Sequence, residues 1–156
     1  MGTFPAVGDE LARSNQTGQQ EEASRLEDYL EVIYRLIRQK GYANTVVIAE
    51  NLGVKPPTVS SMLQRLAAKD YLVHEPYRGI QLTEKGAKIA KSVIARHGIV
   101  SELLSLLGVE ADVAYQDTEG IEHHVQPVTI KRIEGLVDYL HENPKVLRAI
   151  RDHMEE

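Results

Sequence analysis

The stretch that most constrains this chain is Ile48 to Gly86, "IAENLGVKPPTVSSMLQRLAAKDYLVHEPYRGIQLTEKG". Gly53 marks a turn, because glycine enters the left-handed backbone region without a Cβ penalty. Pro56 and Pro57 suit the first turn of a helix, where a missing N–H costs no intrahelical bond. Behind them Val59, Met62, Leu63 and Leu66 recur at helical spacing and give that helix one apolar face. A short helical run, Thr45 to Leu52, precedes the glycine and carries Val46, Val47, Ile48 and Ala49. Two short β-like runs then flank Glu75-Pro76-Tyr77-Arg78-Gly79, the pattern of a hairpin. Helix, turn, helix and hairpin in that order predict a winged helix-turn-helix.

The flanks are helical too. Leu26, Leu30, Ile33 and Ile37 line one face of a first helix, with Ser24 as its cap, Glu27 at the capping-box position and Gly41 as its stop. Residues 1–23 are rich in Gln, Glu, Ser, Asn and Gly with little apolar content, which predicts a disordered tail. Thr83 is placed to cap a long helix running to about Leu107 and stopped by Gly108. Further helices are predicted from Ala111, from Pro127 to His141 and from Pro144 to Met154. The expected fold is mainly α with a small β-wing. It divides into a tail (1–23), a winged helix-turn-helix DNA-binding domain (24–90) and a helical module (91–156).

Composition narrows the chemistry. The chain has 156 residues and no Cys, so disulfides, thiolate ligands and cysteine nucleophiles are all excluded. No apolar run approaches the roughly 20 residues of a membrane span, and the start lacks the basic and apolar regions of a secretory signal. A cytoplasmic protein is expected. The net charge of -5 is unevenly distributed. Residues 35–96 hold eleven basic and four acidic side chains, whereas residues 97–156 hold five basic and twelve acidic. A basic middle can face phosphates while the acidic end serves another purpose.

The second helix of a helix-turn-helix enters the major groove with its N-terminal residues nearest the bases. Here those residues are Lys55, Pro57, Thr58, Ser60, Ser61 and Gln64, and the hairpin tip adds Tyr77 and Arg78. Hydroxyls bond phosphates or base edges, and Pro57 or the Thr58 methyl suits a thymine methyl. The competing reading is a protein-interaction module of the same shape. The local positive charge and the small outward polar residues weigh against it.

The acidic end contains "EGIEHHV", Glu119 to Val125. At about 100° per residue, Glu119, Glu122 and His123 share an arc of about 100°, and His124 points elsewhere. Gly120 beside them suggests close backbone approach, or a carbonyl offered as a further ligand. Three side chains do not fill a six-coordinate site. Asp28 and Glu31 on the first helix and His97 on the long one could complete the set. Four carboxylates and two imidazoles suit Mn²⁺ or Fe²⁺. Each group also has a plain structural role available: a first-turn acid complementing the helix dipole, a packed histidine, a solvated face. No H-E-x-x-H, paired Glu-x-x-His or nucleotide-binding glycine loop occurs, so an enzyme is not expected.

The chain resembles the diphtheria-toxin-repressor family of metal-dependent transcription factors, and within it the manganese transport regulators. The resemblance rests on "LEDYLEVIY" (Leu26 to Tyr34), "PTVSSMLQRL" (Pro57 to Leu66), "YRGIQLTEKG" (Tyr77 to Gly86), Arg96-His97 and "EGIEHH" (Glu119 to His124). It implies that Asp28, Glu31, His97, Glu119, Glu122 and His123 hold two metal ions per subunit. It implies a homodimer, built through the C-terminal helices, that binds double-stranded operator DNA and represses metal uptake genes. Iron-responsive members have sulfur ligands where this chain has Asp28 and Glu119, which favours Mn²⁺. Fe²⁺ is the alternative, and Zn²⁺ is expected to bind with weaker activation. A winged-helix regulator answering an organic ligand is the other reading.

Overall fold

The structure is a computed structural model. It describes the backbone of residues 7–75, 77 and 79–154, with side chains from residue 16 onward. In chain order the elements are α1 (Val7–Lys40), α2 (Thr45–Leu52), α3 (Pro56–Ala68), β1 (Leu72–Glu75), β2 (Gly79–Leu82), α4 (Glu84–Leu106), α5 (Ala111–Glu122), α6 (Pro127–Glu142) and α7 (Pro144–Met154). The chain forms two compact units, Met1–Lys91 and Ser92–Glu156, and the division falls within α4.

The first unit is the expected winged helix-turn-helix. Asn44 caps α2 by accepting the Val47 N–H through Oδ1 at 2.9 Å, and Gly53 ends it with φ 63°. Pro56 and Pro57 open α3. β1 and β2 pair antiparallel, with Leu72 opposite Leu82 and Glu75 opposite Gly79. The core draws Tyr29, Leu30, Ile33 and Leu36 from α1, Ile48 and Ala49 from α2, and Val59, Met62 and Leu66 from α3. Leu72 and Ile80 from the wing and Ala90 from α4 complete it, with Leu63 partly buried at its edge. Removing the α2 cap by Asn44→Ala is expected to cost about 1 kcal/mol, read as a lower thermal midpoint. An unchanged midpoint would show that the cap contributes nothing.

One expectation fails. The tail predicted for residues 1–23 is helical from Val7 on, and residues 1–6 lie outside the described residues. Ser24 is therefore a mid-helix residue and not a cap; its hydroxyl donates to the Gln20 carbonyl at 3.0 Å. Between Val7 and Ala23 the segment holds three Glu and three Gln, which propagate a helix well once it is nucleated. The side chains of residues 16–23 are exposed. Among them, Glu22 pairs with Arg65 of α3.

The second unit packs Leu106 of α4 against Val137 and Leu140 of α6, with Leu103, Ile133, Leu147 and Ile150 around them. Arg151 on α7 satisfies the end of α4, donating from Nε to the Leu106 carbonyl at 2.7 Å and from Nη2 to that of Ser105 at 3.0 Å. The apolar row predicted on α6 divides. Ile130, Val137 and Leu140 are buried, while Leu136 is exposed. No helix among the described residues is long and apolar enough to cross a membrane.

Candidate metal centre and nucleic-acid interface

On the first unit, Lys55, Pro57, Thr58, Ser60, Ser61 and Gln64 are all exposed on α3 or at its cap. Ser60 also donates back to the Pro56 carbonyl at 3.3 Å. No acidic residue occupies the first turn of α3, so the positive end of its dipole is available to a phosphate. Tyr77 stands fully exposed at the wing tip with φ 69°. Arg78 lies outside the described residues. Arg65 was not among the predicted residues. Seven positions after Thr58, it falls on the same stripe of α3, about 20° away at 100° per residue. That spacing was available as a signal. With Arg25, Asp28, Thr58 and Ser61 it lines a cleft of about 390 Å³ between α1 and α3.

Asp28 and Glu31 lie on α1 in this unit. Asp28 faces that cleft. Glu31 is mostly buried and pairs with Arg35 Nη2 at 2.5 Å.

On the second unit, α4 and α5 bring His97 together with Glu119 and Glu122. One ligand atom from each lies within 4.8 Å of the others. His97 Nδ1 is 2.9 Å from Glu122 Oε2 and 3.2 Å from Glu119 Oε1. His123 Nε2 lies 3.4 Å from Glu122 Oε1. The side chain of Glu122 is fully buried, that of His123 is 6% exposed and that of His97 is 17% exposed, while Glu119 opens to solvent at 45%. The Tyr115 ring meets the His97 ring edge-on, with centroids 6.0 Å apart.

This donor set fits a divalent ion. The contacts at His97 Nδ1 are short, yet they do not have hydrogen-bond geometry. Nitrogen and oxygen atoms converge from several sides, as donors around a cation do. A fully buried carboxylate beside a second carboxylate is costly without a compensating positive charge. The donors are nitrogen and oxygen only, which suits hard or borderline metals.

Helix α5 ends at Glu122, so His123 is the C-cap and not a helical residue, though its φ of -78° and ψ of -15° keep the helical sense. His124 leaves the cluster, as expected, and its Nδ1 contacts the Gly120 carbonyl at 3.0 Å. That contact engages one lone pair of the carbonyl that the sequence offered as a further ligand. No backbone approaches Gly120, since a Cβ there would meet nothing within 4 Å.

Residues 23–80 match the family described as iron dependent repressor, N-terminal DNA binding domain. Residues 83–150 match its metal binding and dimerisation domain. This chain belongs to the iron-dependent repressor family, the metal-dependent transcriptional regulators typified by the diphtheria toxin repressor. It is 47% identical over 127 residues to the HTH-type transcriptional regulator MntR of Geobacillus kaustophilus (strain HTA426), covering 81% of this chain and 90% of that protein. It is 44% identical over 133 residues to MntR of Bacillus subtilis (strain 168), covering 83% and 94%. Its fold matches the solved structure of the manganese regulator SloR with a TM-score of 0.66 and 31% identity, over 73% of this chain and 54% of that one. The chain thus spans about half the length of that solved structure. It is a DNA-binding transcriptional regulator and not an enzyme.

Proposed function

We propose that this regulator is a manganese-responsive repressor of metal uptake genes, acting in the cytoplasm as a homodimer on a pseudo-palindromic operator. The observation that carries the reading is the convergence of His97, Glu119 and Glu122 on one point, with His123 beside them. Asp28 and Glu31 on α1 complete the ligand set, and two ions per subunit fill it. A set without sulfur favours Mn²⁺ over softer ions, and relatives named MntR and the manganese regulator SloR support the same choice.

When bound, the metal supplies positive charge that offsets the carboxylates. Glu122, fixed in the interior, orients the cluster, while Glu119 at the solvent edge leaves a way in. With ligands drawn from α1 as well as from α4 and α5, occupancy orders the protein for operator binding and lowers the entropic cost of docking. Lys55, Pro57, Thr58, Ser60, Ser61 and Gln64 read the major groove, and Tyr77 and Arg78 hold the backbone beside it. Operator DNA must in turn tighten metal binding by the same factor.

An operator titration followed by fluorescence anisotropy tests this. Affinity is expected to rise with Mn²⁺, less with Fe²⁺ and least with Zn²⁺, and to fall steeply with salt as phosphate contacts release counterions. Equal operator affinity in Mn²⁺ and in chelator would overturn the reading.

A further inference from the structure

Thr118 precedes Glu119 and lies one turn before Glu122 on α5. It is fully buried, and its hydroxyl oxygen has no hydrogen-bond partner. A helical threonine that faces the interior ordinarily bonds the carbonyl four residues back, and this one does not. Ala114, Thr118 and Glu122 form the buried stripe of α5. Thr118 and Glu122 are about 40° apart around the axis at 100° per residue. Helical side chains lean towards the N-terminus, so the Glu122 side chain covers the turn that carries Thr118. The Glu122 oxygens lie near imidazoles, Oε2 2.9 Å from His97 and Oε1 3.4 Å from His123. Neither serves Thr118.

We propose that Thr118 is a positioning residue of the metal centre, its hydroxyl donating to the Glu122 oxygen that does not bind metal. The inference rests on the manganese reading above. His97 and His123 would hold the ion through their ring nitrogens. One Glu122 oxygen would serve the ion, and the other would accept a hydrogen bond from the Thr118 hydroxyl. A hydrogen bond to a ligating carboxylate fixes its orientation, and losing such a bond typically weakens metal affinity by about 10- to 100-fold. A buried hydroxyl without a partner costs stability, whereas one that orients a ligand adds affinity, so its removal should act in opposite directions on fold stability in chelator and on Mn²⁺ affinity.

The test compares wild type, Thr118→Val and Thr118→Ser in two measurements: Mn²⁺ affinity by competition with a fluorescent metal indicator, and thermal midpoint in chelator. Valine keeps the shape and removes the hydroxyl; serine keeps the hydroxyl. Thr118→Val is expected to bind Mn²⁺ about tenfold more weakly while melting in chelator no lower than wild type. Thr118→Ser is expected to retain affinity close to wild type. Wild-type Mn²⁺ affinity in Thr118→Val would overturn the role of the hydroxyl, as would an equal loss in Thr118→Ser. Wild-type protein that fails to bind Mn²⁺ would instead overturn the manganese reading itself.

Discussion

Glu122→Gln is expected to weaken Mn²⁺ binding by at least about a hundredfold, a loss of roughly 3 kcal/mol at 1.4 kcal/mol per decade. Glutamine keeps an oxygen in place but removes the negative charge, and the charge is what the interior position makes effective. Glu122 is fully buried and its two oxygens lie near two different imidazoles. No other carboxylate in the cluster is so enclosed; Glu119 is largely exposed and its charge is screened by water. The same substitution should leave the metal-free protein at least as stable as wild type. A negative charge is no longer held in the interior, where its desolvation is costly. Calorimetric titration with Mn²⁺ and a thermal melt in chelator read the two effects. Near-normal Mn²⁺ affinity would show that Glu122 is not a ligand. A large drop in the chelator midpoint would show that its carboxylate is structural.

The second large effect is expected at Gly86, far from any predicted ligand. A Cβ there would lie 2.0 Å from the Tyr71 carbonyl oxygen, 2.9 Å from its carbon and 3.2 Å from its Cα. All three atoms are backbone, so no side chain can swing aside. The junction is also densely bonded. Thr83 donates its hydroxyl to the Asp70 carbonyl at 2.8 Å and its N–H to that of Tyr71 at 3.1 Å. Gly86 N–H donates to Thr83 Oγ1 at 3.1 Å, and Lys85 Nζ donates to the Lys69 carbonyl at 2.9 Å while lying over the Tyr71 ring. Gly86→Ala must push the start of α4 away from the Tyr71 backbone that leads into β1 and break several of these bonds. A loss of about 3 kcal/mol is expected, at the upper end of overpacking costs, which lowers the melting midpoint by more than about 10 °C for a unit of this size. Gly18→Ala is the control, because a Cβ there meets nothing within 4 Å. Equal midpoints for the two variants would refute the clash.

The sequence carried the helix boundaries well wherever a residue had a specific backbone task. Gly41, Gly53 and Gly108 all take positive φ at helix ends, and paired prolines open α3. It misled where composition stood in for conformation. The polar run before Ser24 reads as a tail, but exposed Glu and Gln continue a helix at little cost. The wheel placed Glu119 and Glu122 on one side of α5 because both are inside the helix. It reached His123 only because the C-cap keeps helical dihedrals. The approach of His97 to α5 is tertiary and has no local signature. The same holds for Thr118, since a pattern cannot show whether a buried hydroxyl finds a partner.

The cluster of His97, Glu119, Glu122 and His123 is built without sulfur, in a chain that has no cysteine. Oxidants that turn thiolates into sulfenic acids or disulfides find no target in it. Thiol-reactive electrophiles that silence a cysteine-based sensor find no thiol in this chain. The donor atoms of these four residues do not depend on the thiol balance around them.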